Sequence, residues 1–360
     1  MFPTLCIDDL SAKIPIIQGG MGVGISISGL ASAVAEQGGI GVISSVALGL
    51  LKTGKEKLRE ENINCLVDEI RKAKAKTQGI LGINVMVAAA DFNEIVLAGL
   101  REKIDIIFMG AGLPTKLPPE ISDKYLDKIK TKFAPIVSSA RAAKLIFRSW
   151  ERKYNRVPDA VVVEGPQAGG HLGFSLDQIN DPAFSLEKLI PEICQTIAPF
   201  RAKYQRDIPV IAAGGIYSGA DIAKFIDLGA AGVQMGTRFV ATEECDADPK
   251  FKQQFINCQK SDIGLIKSPV GMPGRAIINQ FLVDVKSGLK KPVYCPWQCL
   301  KSCKMENSNY CIADALVNAK NGILEQGFSF AGVNAYRVDK ILSVKNLINS
   351  LEAEYDACRA

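Results

Sequence analysis

Short runs of β-branched and aliphatic residues alternate with stretches whose apolar residues recur every three to four positions. The runs predict strands at residues 14–18, 41–44, 80–85, 106–109, 134–137, 160–164, 209–213 and 232–235. The stretches between them predict helices at 30–36, 64–76, 139–154, 186–204 and 220–228. In 64–76, Cys65, Leu66, Ile70 and Ala73 fall near one face, with Lys72, Lys74 and Lys76 around it. Ser138 or Ser139 is placed to cap the helix that follows. Pro191 and Pro199 leave the limits of 186–204 open, because a ring inside a helix removes an N–H and clashes with the preceding turn. The strand runs are continuous, as in Val161-Val162-Val163 and Val210-Ile211-Ala212, which fits parallel strands buried on both faces.

Eight such units in about 240 residues predict a (β/α)₈ TIM barrel, assigned to residues 1–242. An open doubly wound sheet is the rival, but Gly20-Met21-Gly22-Val23-Gly24 breaks the spacing of the dinucleotide fingerprint. After Thr242 the periodicity weakens and Pro249, Pro269, Pro273 and Pro292 intervene. Residues 243–311 are therefore expected to form an inserted lid or substrate subdomain. Residues 312–360 return to helices packing back on the barrel, with Ile341, Val344, Leu347, Ile348 and Leu351 as an apolar stripe.

Composition narrows the class. The chain has 360 residues, 48% hydrophobic and 22% charged, which is ordinary for a globular protein and excludes a disordered one. A net charge of +5, from 43 basic and 38 acidic side chains, is too weak a field to expect a nucleic-acid partner. No apolar run reaches the roughly 18 residues of a membrane span. Asp8, Asp9 and Lys13 interrupt the apolar stretch that a signal peptide needs. A soluble, cytoplasmic protein is expected, its 10 cysteines serving as thiols or ligands. A homodimer is left as an option.

The candidate chemistry lies at the predicted C-terminal ends of the strands, where (β/α)₈ barrels carry their sites. Gly214 and Gly215 follow strand seven; Gln234, Met235, Gly236 and Thr237 follow strand eight. Loops there, at a helix N-terminus, hold phosphate in such barrels. Arg238 meets either the phosphate or a carboxylate. The stretch from Glu164 to Gly173 leaves strand six and carries His171, the only histidine in the chain, with Gly169 and Gly170 before it. An imidazole in a glycine-rich loop is suited to accept a proton near neutral pH, while a lone histidine also serves structure. Glu164 would accept hydrogen bonds from a ligand, or else be salt-bridged under the loop. Gln18, Gly19, Gly20, Met21 and Gly22 form a turn that either touches a ligand or simply turns. Asn84 interrupts a buried strand, and its amide must find a partner, in the ligand or in the protein.

These stretches carry a resemblance. PIIQGGMG, LGINVM, MGAGLP, VVVEGPQAGGHLGF, IPVIAAGGI and GVQMGTRFVATEECDADPKFK span residues 14 to about 252. Together they resemble the FMN-dependent nitronate monooxygenases, formerly called 2-nitropropane dioxygenases, and their sister family, the FMN-dependent enoyl-acyl-carrier-protein reductases. The resemblance implies a barrel whose FMN is held by the turn after Gln18, by Asn84, by Gly169, by Gly215 and by Gln234 through Thr237. It puts His171 on the catalytic histidine. The position of Glu164 is commonly Gln in the monooxygenases and Glu in the reductases. The implied activity is oxidation of alkyl nitronates by O₂ to a carbonyl compound and nitrite. The alternative is reduction of an enoyl thioester by NAD(P)H. A flavin-binding regulatory protein is the non-enzymatic reading.

One cluster lies outside the resemblance. Cys295, Cys299, Cys303 and Cys311 are spaced C-x₃-C-x₃-C-x₇-C. They are either four ligands for zinc or an iron–sulfur cluster, or buried thiols and a redox pair. On one straight helix the first three would spread over about 12 Å, too far for one metal. A site would need a bend at Pro296 or after Cys303. No metal is assigned.

Overall fold

The computed structural model describes residues 1–360 except 53–57, 122–125, 127, 291–294, 296–298, 302 and 304–307. Two short strands, β1 (Leu5–Ile7) and β2 (Leu10–Ala12), form an antiparallel hairpin before the barrel begins. The barrel strands are β3 (Ile16–Gln18), β4 (Gly41–Ser44), β5 (Leu81–Met86), β6 (Ile106–Gly110), β7 (Lys132–Val137) and β8 (Val161–Glu164). After β9 (Gly170–His171), which lies outside the barrel, come β10 (Val210–Ala213) and β11 (Gly232–Met235). All eight are parallel, in the order β3-β11-β10-β8-β7-β6-β5-β4. The seam between β3 and β4 is closed by a parallel bridge from Ile17 to Ile40. There Gln18 N–H donates to the Ile40 carbonyl and Ile40 N–H to that of Ile16, each at 3.0 Å. This is a (β/α)₈ barrel.

The continuity of the strand runs has a direct cause. Ile17, Val42, Ile106, Phe108, Ala134, Val162 and Ile211 fill the barrel interior with residues of the β1–β2 hairpin. Their neighbours Ile16, Ile43, Ile107, Phe133, Val161, Val163 and Val210 pack against the helical layer. Successive side chains point to opposite faces, and both faces are apolar.

The helices differ from expectation mainly at their limits. The helix expected at 64–76 runs over Leu58–Lys76, because Leu58 and Asn62 are buried although charged residues surround them. Ser139 is the cap of the helix Ala140–Tyr154, accepting from Ala142 N–H. The helix Leu186–Tyr204 continues through Pro191 and Pro199, held by the buried face of Leu189, Ile190, Ile193, Ile197 and Phe200. The helix Phe92–Arg101 was not marked out by the pattern.

Beyond Thr242 the chain is more regular than its periodicity suggests. It forms a helix at Pro249–Asn257, strands β12 (Ile263–Lys267) and β13 (Pro273–Ile277), and a helix at Gln280–Lys286. These short elements are too brief to establish a period. The helix Val344–Ala357 packs on Gly219–Asp227, where Glu354 accepts from Gly219 N–H at 2.8 Å. Its stripe begins at Val344; Ile341 lies before the helix and is exposed. No described helix is long and apolar enough to cross a membrane.

The opposite end of the barrel is tied by charge. Asp159, fully buried, accepts from Phe133 N–H at 2.8 Å and pairs with Arg206 at 2.7 Å and Arg156 at 3.0 Å. Lys132 binds Asp8 and Asp9 of the β1–β2 hairpin at 2.6 and 2.7 Å.

Candidate active site

The C-terminal ends of the strands open on a cavity of about 570 Å³, within the range of cofactor and small-molecule sites. Of the residues singled out in sequence, Gly19, Gly20, Met21, Gly22, Asn84, Glu164, Gly169, Gly170, His171, Gly214, Gly215, Gln234, Met235, Gly236 and Thr237 all line it. They are contributed by β3, β5, β8, β9, β10 and β11 or the turns after them, so five barrel strands converge on one space.

Gln18 does not line the cavity. Its amide nitrogen donates to the Gly19 and Val42 carbonyls and its oxygen accepts from Val42 N–H. Both ends of the amide are spent bracing β3 against β4. Arg238 also lies elsewhere: its guanidinium stacks 4.5 Å from the Tyr217 ring and donates to the Tyr217 carbonyl. Among the described residues it meets neither a carboxylate nor the cavity.

Two backbone features shape the floor. Gly214 and Gly215 have φ of +94° and +82°, which side chains rarely adopt. A Cβ on Gly20 would fall 2.3 Å from that of Asn84, so this turn can lie against β5 only without a side chain. The N–H groups of Gly215, Gly236 and Thr237 donate to no protein acceptor among the described residues. They are the donors left for an anion. The expected contribution of a helix N-terminus after strand seven is not available. Ser218 caps that helix, and the Asp221 carboxylate accepts from Tyr217 and Ser218 N–H. Nor does any lysine or arginine line the cavity among the described residues. An anion would be met by neutral donors alone.

His171 is positioned by β13. Gly274 pairs with His171 and Arg275 with Gly170, making a three-stranded sheet with β12. Buried Ser268, in the turn between β12 and β13, stands 2.7 Å from His171 Nε2, and the Phe330 ring meets the imidazole edge at 5.1 Å. Nδ1 is the ring nitrogen without a partner among the described residues. Burial pushes the imidazole down to about 4, so it is neutral at pH 7. Burial pushes Glu164 the other way, up to about 7. Among the described residues no salt bridge holds this carboxylate under the loop. Two titratable groups with their ranges driven apart in one cavity are the arrangement expected of acid–base chemistry.

Several residues in or behind the cavity wall had little sequence signal. Arg275, buried, donates to the Pro166 and Ala168 carbonyls at 2.6 and 2.7 Å and clamps the loop before His171. Asn334 donates to the Gly215 carbonyl at 2.6 Å. Its setting in Gly332-Val333-Asn334 was the local hint. Phe251, Phe255, Ile312, Ala313, Leu316 and Leu300 form an apolar wall from beyond residue 242.

A barrel with an acid–base pair and unspent donors at its C-terminal mouth is a TIM-barrel enzyme in architecture. A sequence profile of the nitronate monooxygenase family matches residues 4–106 and 93–354. The chain belongs to that family of oxidoreductases. A probable nitronate monooxygenase of Bacillus subtilis is 27% identical over 357 residues, covering 94% of each chain. A (3aS,4S,5R,7aS)-5-hydroxy-7a-methyl-1-oxo-octahydro-1H-indene-4-carboxyl-CoA dehydrogenase of Mycobacterium tuberculosis is 28% identical over 276 residues, 76% of this chain. That match spans 66% of the relative's length, slightly under two thirds. Among solved structures, FabK from Thermotoga maritima superposes with a TM-score of 0.72 at 28% identity, covering 96% of this chain and 93% of that one.

Proposed function

We propose that this protein is an FMN-dependent nitronate monooxygenase of the cytoplasm, converting alkyl nitronates with O₂ to carbonyl compounds and nitrite. The observation that carries this reading is a neutral His171 at the mouth of a cavity that three side chains enter with their polar groups unspent. Asn84, Gln234 and Glu164 side chains face that cavity with no hydrogen-bond partner among the described residues. They suit the polar edge of a flavin ring, and the free amides of Gly215, Gly236 and Thr237 suit its single phosphate. FMN, when bound, supplies the electron-accepting chemistry. His171 takes the α-proton of a neutral nitroalkane at Nδ1, with Nε2–H donated to Ser268 to fix the tautomer. Glu164 holds a hydrogen bond to the cofactor, and the apolar wall excludes water.

Glu164 also supports a second reading, reduction of an enoyl thioester at the expense of NAD(P)H, because the related reductases commonly carry Glu there. Anaerobic stopped-flow mixing separates the two. Under the first, propyl-2-nitronate bleaches the flavin absorbance and NADH or NADPH does little; the reverse result would establish the reductase. Flavin released by heat should run as FMN on chromatography, and a protein that neither contains nor takes up FMN would defeat both. Removing the Ser268 hydroxyl should lower turnover roughly fivefold, the worth of one hydrogen bond of about 1 kcal/mol. Steady-state kinetics of Ser268→Ala, with flavin content measured alongside, checks this.

A further inference from the structure

Cys295, Cys299 and Cys303 are not helical, so the straight row considered from the sequence does not form, and a bend at Pro296 lies outside the described residues. Among the described residues no three metal-ligating side chains converge on one ion, and no metal is assigned to the cysteines. The cavity does hold a carboxylate for which the chemistry above has no use. Asp91 lines it from the loop between β5 and the helix Phe92–Arg101, and is only 6% exposed.

The ordinary task of an aspartate at this position is to cap its own helix. Asp91 is the N-cap residue of Phe92–Arg101, yet its side chain accepts no capping hydrogen bond. Its Oδ2 accepts instead from Asn62 Nδ2 at 2.8 Å. Asn62, also buried and also lining the cavity, belongs to the helix Leu58–Lys76. It is fixed in turn by Gly49 N–H, which donates to its Oδ1 at 2.7 Å. The orientation of the carboxylate is thus set through Asn62 by the loop after β4. The other oxygen of Asp91 has no partner among the described residues and is not sealed off. No lysine, arginine or histidine pairs with the group there. A buried carboxylate with one oxygen unused calls for a donor from outside the protein.

Its place in the barrel decides which end of a ligand it meets. In the closed order of strands β4 stands diametrically across from β8, with β5 beside β4. His171 and Glu164 belong to β8 and the loop after it, whereas Asp91 and Asn62 tie the loops after β5 and β4 together. The two polar ends lie on opposite sides of one cavity. The lining on the Asp91 side is apolar, from Ala47, Ala89, Ile95, Leu300 and Ala313. A ligand reaching that side therefore brings an aliphatic run as well as the donor. The charge of the donor follows from the rest of the lining. It contains the carboxyl groups of Asp91 and Glu164 and, among the described residues, no lysine or arginine. A hydroxyl would fill the free oxygen and leave a buried charge uncompensated; an ammonium group does both. We propose that Asp91, oriented by Asn62, binds a protonated amine at the end of the substrate remote from the reacting carbon. The reacting end rests on the nitronate reading; the amine site is the same for either reaction.

Calorimetric titration of the flavin-loaded protein with n-hexylamine, 1-hexanol and hexanoate, and with their shorter and longer homologues, tests this without turnover. The amine should bind about 10–100-fold more tightly than the alcohol of the same length, the worth of a hydrogen bond to a charged group. The carboxylate should bind most weakly. Asp91→Asn should bring the amine to the level of the alcohol. Glu94→Gln, on the exposed face of the same helix, should leave the preference as it is. Should Asp91→Asn not fold, Asp91→Ser replaces it, and the comparison of chain ends on the unaltered protein needs no variant. In turnover, 6-nitrohexylamine should show a lower KM than 1-nitrohexane, with kcat little changed. An amine that binds no more tightly than the alcohol at any length would overturn the inference, as would a preference that survives Asp91→Asn. Preferred binding of the amine without oxidation of either nitro compound would count against the nitronate reading and leave the amine site standing.

Discussion

His171→Ala should keep FMN and lose turnover on a neutral nitroalkane by about 10²–10⁴-fold, the usual size of a general-base loss. Turnover on pre-ionised nitronate should suffer less, since its proton has already left. The split follows from the site. The imidazole is held by Ser268 on one nitrogen and by the Phe330 ring at its edge, so its position does not depend on the cofactor. Burial keeps it neutral at working pH and ready to accept. The sign of the pH dependence follows: activity on the neutral nitroalkane should persist as pH falls from 7 and be lost as it passes through about 4, where the imidazole charges. Steady-state kinetics on both substrate forms, with flavin content measured in the same samples, checks the claim. Equal small losses on both forms would make His171 structural.

Asp159→Ala should be the most damaging change away from the cavity, destabilising the fold by about 3 kcal/mol, because it strips a buried N–H and two part-buried guanidinium groups of the carboxylate they share. Asp159 is fully buried and serves three partners: Phe133 N–H, Arg156 and Arg206. Its removal leaves two guanidinium groups without their shared carboxylate under β7 and β8. The pairs of Lys132 with Asp8 and Asp9 contribute less, because both aspartates are largely exposed. Chemical denaturation of Asp159→Ala beside Asp9→Ala measures the contrast. Similar midpoints for the two would show that the pocket around Asp159 relaxes to admit water.

Much of the candidate site was legible because each barrel strand ends in a local signal. A β-branched run followed by glycines reports a buried parallel strand and a close backbone turn within a few residues, as at Val210 to Gly215 and Gly232 to Thr237. Gln18 shows the limit of such reading. A polar residue at a strand end faces either the cavity or the barrel seam, and only the pairing of β3 with β4 decides which. Arg238 fails for the same reason: the aromatic face of Tyr217 that it covers is 21 residues away in the chain.

The sequence by itself determined the parallel barrel, the end at which the cavity lies, and His171 as its unique imidazole, because periodicity and turn chemistry act over a few residues. Tertiary structure alone decided what surrounds that imidazole. Ser268, Arg275 and Phe330 reach it or its loop from 97 to 159 positions away, through the pairing of β13 with β9 and the packing of the residues after it. It also decided the protonation of His171 and Glu164, since burial is a property of the assembled walls. Contacts of such separation leave no periodic trace: each rests on one side chain, and a single side chain has no period.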